Sequence, residues 1–170
     1  LPRVDYTLSL PEPYTAMAGE DDYRCFVLEW PDPALVTSVT GFTVNADNDR
    51  IVHHVIAYII PPEFAAEYDA LDGADGTAGY ACFGGVGGPL GTNLAALDQG
   101  ARWLGGWAPG TSGGAFPDGT GIPVEGGSRI VLQVHYHPQP GEASEPDQSG
   151  IEVMVDPSVL PSNWAAVIPF

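Results

Sequence analysis

Apolar residues fall in short runs that alternate with polar ones, and glycine and proline close the runs. Five runs read as strands, at residues 23–30, 36–45, 51–60, 129–137 and 151–155. They are rich in β-branched and aromatic side chains and bounded by turn formers. Helical periodicity is confined to residues 62–71, where Pro62 opens the segment, Glu63 falls in the first turn and Gly73 follows its end. This pattern predicts an all-β fold, an antiparallel β-sandwich. Glycine and proline crowd into residues 73–91 and 105–127, which are expected to be long loops on the β scaffold. The polar stretch 139–149 reads as one more exposed loop, and Trp103 and Trp107 as loop anchors or core. With no internal repeat and no second compositional block, residues 1–170 are read as one domain.

Charge changes the choice of partner. The chain carries 22 acidic and 5 basic side chains, a formal net charge of -17, yet 44% of it is hydrophobic. Apolar content of that order offsets chain entropy, so the charge does not imply disorder. Lysine is absent and the arginines are dispersed, which argues against nucleic acid and anionic lipid surfaces and leaves cations open, although an acidic surface of this kind is more often a solvated face or an adaptation to salt than a binding device. The longest apolar run, from Val55 to Ile60, is far shorter than the ~20 residues of a membrane span. The chain opens on Leu1-Pro2-Arg3 with no apolar leader, so a processed, secreted or periplasmic protein is expected.

Cys25 lies in a strand-like run and Cys82 in the glycine-rich stretch. Two cysteines in such a chain read first as one disulfide that ties the long loop to the sandwich. A metal-ligand pair or a redox couple is the alternative, weakened by the lack of Cys-x-x-Cys spacing.

All four histidines occur as two pairs, each inside an apolar strand: Val52-His53-His54-Val55 and Val134-His135-Tyr136-His137. Such interruptions point to a metal site held by His53, His54 and His135, with His137, beside Pro138, as a possible additional ligand or a plain strand-end histidine. Strand parity places His135 and His137 on one face but His53 and His54 on opposite faces. Both members of the adjacent pair reach one ion only if the strand bulges or ends there, or if the ring nitrogens used are those nearer the backbone. Imidazole alone admits zinc, copper, iron or nickel. The run Asn45-Ala46-Asp47-Asn48-Asp49-Arg50 is not a calcium loop, because its sixth and twelfth positions are Arg50 and Ile56; it reads as the turn entering the histidine strand. No Gly-x-Ser-x-Gly elbow occurs, and Gly84-Gly85-Val86-Gly87-Gly88 lacks the Lys-Ser/Thr ending of a phosphate loop.

Taken in order, several runs resemble the N-terminal domain of the copper type II, ascorbate-dependent monooxygenases, the family of peptidylglycine α-hydroxylating and dopamine β-monooxygenases. They are Tyr23-Arg24-Cys25-Phe26, Val52-His53-His54-Val55, Cys82 in its glycine-rich stretch, Trp107-Ala108-Pro109-Gly110, Phe116-Pro117-Asp118-Gly119-Thr120-Gly121 and Val131-Leu132-Gln133-Val134-His135-Tyr136. The resemblance covers roughly residues 21 to 138. It implies a jelly-roll-like sandwich carrying one copper on His53, His54 and His135, a Cys25–Cys82 disulfide, and ascorbate or another one-electron donor as partner. Family enzymes add a second copper domain that binds oxygen and substrate through His-x-His and a methionine. The chain departs from them here, since His135 already belongs to the first site and Met17 and Met154 stand alone. The expected role is electron storage and delivery to such a domain in cis or in trans, and the alternative is a free-standing extracytoplasmic copper-binding or transfer protein.

Overall fold

The computed structural model of the chain describes residues 1–91, 100–140 and 145–164. The strands are β1 (Tyr6–Ser9), β2 (Asp22–Glu29), β3 (Val36–Asn45), β4 (Val52–Ile60), β5 (Tyr80–Ala81), β6 (Arg102–Trp107), β7 (Gly114–Ala115), β8 (Ile122–Glu125), β9 (Arg129–Tyr136) and β10 (Gly150–Val155). They form two antiparallel sheets. One runs β1-β10-β3-β7, with β8 also paired to β3, and the other runs β5-β2-β9-β4-β6. The protein is an all-β sandwich, as its alternation predicts.

Period two decides which side chains meet between the sheets. Phe26, Leu28, Val55, Ala57, Ile59, Leu132, Val134 and Tyr136 of the second sheet pack against Leu8, Val39, Phe42, Ile122, Ile151 and Val153 of the first. The opposite parity on β2 and β9 leaves Cys25 and Val131 on the outer face. There they pack with Ile60, Tyr68, Tyr80, Val86 and Leu90 in a second buried cluster. Tyr68 belongs to α1 (Ala65–Leu71), which continues from a 3-10 turn at Pro62–Phe64, so the predicted helical segment is present.

The glycine-rich stretch 73–91 is therefore a cover over one sheet face, and three devices fix it. Cys25 and Cys82 form a disulfide. Gln133 donates from Nε2 to the Gly85 carbonyl at 2.7 Å. The buried Arg24 guanidinium makes a bidentate pair with Asp75, 2.7 Å on each arm, and also donates to the Ala78, Thr77 and Gly79 carbonyls. Gly79 lies against β2 at φ +73, where a Cβ would stand 2.5 Å from the Cys25 carbonyl oxygen, so no larger residue fits.

Two loop expectations are corrected. Residues 105–127 contain the end of β6 and all of β7 and β8. The glycines of β6 look like turn formers, but a Cβ on Gly105 would meet the Phe42 ring of the other sheet at 2.8 Å, so this glycine serves close sheet packing. Trp103 and Trp107 accordingly sit on an edge strand, Trp107 against the core. The stretch 139–149 is not uniformly exposed. Residues 141–144 lie outside the described residues, but Asp147 and Ser149 are buried. Asp147 accepts hydrogen bonds from the Tyr136 hydroxyl at 2.9 Å, the Ser149 hydroxyl at 2.7 Å and the Asn48 amide at 3.0 Å. Burial of that carboxylate is offset by this full set of donors.

Candidate metal centre

The second sheet carries the histidines at one end of its outer face. Register places Tyr23 of β2 opposite His135 of β9, and His135 opposite His54 of β4, so the three side chains form one row across three strands. The β4–β9 ladder then shifts: Val52 pairs with Tyr136 and His54 with His135, which leaves His53 as an extra residue on β4. Such a bulge puts two successive side chains on one face. Val52 and Val55 both enter the core, so His53 and His54 are free to point outward together. Backbone bonds from Ile51 and Val52 to the Asn48 carbonyl, 3.2 and 3.0 Å, close the turn that leads into this irregularity.

Among the described residues, His53, His54 and His135 form a group able to hold a metal ion, with one ligand atom from each inside a 4.8 Å limit. The Nδ1 atom of His54 lies 3.4 Å from Nδ1 of His53 and 3.3 Å from Nδ1 of His135. Two ligands ~2.0–2.1 Å from one ion, at a roughly tetrahedral angle, stand about 3.3–3.4 Å apart, so these spacings fit a first-row metal. His54 Nδ1 has at most one proton to share and cannot satisfy both neighbours, whereas a central cation satisfies all three nitrogens. Burial is graded, with His135 buried, His54 half-buried and His53 exposed, so the site opens on one side. Partial burial, followed by the neighbouring charges of His135 and His53, pushes the His54 pKa from 6.5 down to about 4. The ring is therefore neutral and available as a ligand at neutral pH.

His135 is held on both its face and its edge. The Tyr23 ring stacks on it at 4.1 Å between centroids, 5° from parallel, and exposed Phe83 abuts Tyr23 edge-on at 4.8 Å. Asp21 Oδ1 lies 2.9 Å from His135 Nε2 and 2.6 Å from His137 Nδ1. Hydrogen bonds from His137 and then His135 hold the Asp21 carboxyl below its usual range. His137 is not brought into the three-histidine set. Its amide donates to the Ile51 carbonyl at 2.8 Å just past the end of β9, and its exposed ring turns to Asp21. Cys25 and Cys82 are bonded to each other, which removes them as ligands or as a free redox pair.

Asp21 was not visible as a functional residue in the sequence, where it is one of 22 acidic side chains. The available signal is parity: position 21, just before β2, continues the outer row of positions 23 and 25, next to His135 of β9 and His137 just beyond its end. No helix among the described residues is long and apolar enough to cross a membrane. Comparison of the chain with protein-family models and with curated proteins gives no match.

Proposed function

We propose that His53, His54 and His135 hold one copper ion and that the protein works as the electron-transfer domain of a copper- and ascorbate-dependent monooxygenase. The observation that carries the metal reading is the bulge at His53, which gathers three imidazole Nδ1 atoms on one sheet face. The choice of copper, and of this enzyme family, rests on the ordered resemblance of the surrounding runs. Neutral imidazoles suit copper in both oxidation states, and bound copper would supply one-electron chemistry. The chain's own residues provide the rest. The ladder fixes His54 and His135, the bulge presents His53, and Tyr23 shields one ring face of His135.

Oxygen and substrate would bind at a second copper domain, in cis or in trans, with ascorbate or another one-electron donor supplying electrons. A second reading is a free-standing copper-binding or transfer protein. It is favoured by the site's open side and by the single three-residue ligand group found among the described residues. Titration with Cu(II) followed by electron paramagnetic resonance tests the metal: one equivalent should give a nitrogen-ligated type II signal, and ascorbate should abolish it. An uptake of zinc but not copper would overturn the proposal. Oxidation of the reduced protein by a separate oxygen-binding copper domain would decide for the monooxygenase over the carrier.

A further inference from the structure

Asp21 stands just before β2, on the same face as Tyr23, where β2 and β9 pair in register. One of its oxygens, Oδ1, meets both His135 of β9, through Nε2, and His137 just past the end of that strand, through Nδ1. The His135 ring thus has its plane set by Tyr23 and its two nitrogens assigned to different partners, Nε2 to Asp21 and Nδ1 to the cluster. A carboxylate can only accept from this ring, so Nε2 carries the hydrogen and Nδ1 presents its lone pair. A half-turn of the ring would break the bond to Asp21 and point the wrong edge at His54.

Asp21 is itself about half exposed, with 53% of its side-chain surface accessible, and water competes for a carboxylate in that position. His137 supplies the restraint. Its amide is tied to the Ile51 carbonyl, and its ring donates to Asp21 at 2.6 Å. The fourth histidine, which lies outside the ligand group, thereby has a place: it anchors the carboxylate that orients a ligand.

We infer that Asp21 is the positioning residue of this metal site, holding His135 in the tautomer and ring orientation that present Nδ1, and that His137 holds Asp21. The inference rests on the metal reading above. Outer partners of metal-bound histidines typically contribute about 10–100-fold to affinity.

The test compares wild type with Asp21→Ala, Asp21→Asn, His137→Ala and the Asp21→Ala/His137→Ala double variant. Cu(II) affinity is measured by competition, remote-nitrogen modulation by pulsed electron paramagnetic resonance, and folding by the melting temperature of the metal-free forms. Asp21→Ala should weaken copper about 10–100-fold and alter the remote-nitrogen signal of one imidazole, Nε2 of His135, in protein that still melts cooperatively. Asp21→Asn keeps an acceptor oxygen but loses the charge, so it should fall between. His137→Ala should cost less than Asp21→Ala, and the double variant no more than Asp21→Ala, because both act through one contact. A wild-type chain that binds copper but is indifferent to Asp21→Ala in affinity and in remote-nitrogen signal overturns this inference alone. Additive losses in the double variant overturn the anchoring role of His137. A wild-type chain that takes up no copper overturns the metal reading and the inference with it.

Discussion

His54 and His135 face each other across β4 and β9 with their Nδ1 atoms 3.3 Å apart, and the register shift in that ladder falls immediately before His54. The ligand pair is thus part of the sheet, while the third ligand is a product of its irregularity. Alanine at His53, His54 or His135 should each lower copper affinity by more than the ~100-fold upper range of an outer partner. His137→Ala should retain a copper site with three nitrogen ligands. Isothermal titration together with the nitrogen count from electron paramagnetic resonance reads both. Loss of binding in His137→Ala alone would reverse the assignment of that residue.

The bulge makes a sharper test than substitution. Deleting His53 brings Val52 next to His54 in sequence, which is the pairing the ladder already has, Val52 with Tyr136 and His54 with His135. The deletion variant should therefore fold with a regular ladder and with stability equal to or above that of His53→Ala. Its copper affinity should match that of His53→Ala. Denaturant unfolding and copper competition on the two proteins check this, and collapse of the deletion variant alone would show that the bulge is needed for folding.

Much of this arrangement is legible in the sequence. The segment 36–45 coincides with β3, and two adjacent histidines in an apolar strand already call for a bulge, a strand end or the use of backbone-proximal ring nitrogens if both are to share one ion. What escapes is decided by tertiary contact. Gly105 and Gly106 look like a turn, yet Gly105 is a strand residue because Phe42 approaches from the other sheet. Arg24 is one basic residue in an acidic chain, and nothing local says that it will be buried against three carbonyls and Asp75. Asp147 and Asp21 are two carboxylates among many, and only the fold brings one to the Tyr136 hydroxyl and the other to His135.

The cover over the second sheet should matter more to stability than to metal binding. The Cys25–Cys82 bridge spans 57 residues of sequence. On the chain-entropy account, a closed loop of that size stabilises the fold by about 4 kcal/mol. The Cys25→Ala/Cys82→Ala double variant should lose that order of free energy in denaturant unfolding. Copper affinity should fall by less than about 10-fold, since the histidines are carried by the β4–β9 ladder, while the bridge reaches the Tyr23 ring stacked on His135 through Phe83 and through the Cys82 amide bond to the Tyr23 carbonyl. A drop in affinity as large as that of a ligand variant would mean that the cover, and not the ladder, sets the site.

Acid sensitivity of the metal-free protein follows from His54. Its pKa falls from 6.5 in the unfolded chain to about 4 in the fold, chiefly because partial burial disfavours the charged ring and then because His135 and His53 repel it. Between those values the unfolded state holds a proton that the folded state does not, so stability is fully present above pH 6.5 and is lost as pH falls toward about 4. The slope is at most ~1.36 kcal/mol per pH unit, and screening at a half-buried ring reduces it. Asp21 has the same sign in a lower window: its depressed carboxyl contributes above its ordinary value of 3.8 and ceases to do so as the folded-state group protonates. Urea midpoints of the metal-free protein should therefore decline from pH 7.5 to 4.5, and His54→Ala should flatten part of that decline. A variant as acid-sensitive as wild type would show that His54 is not the group responsible.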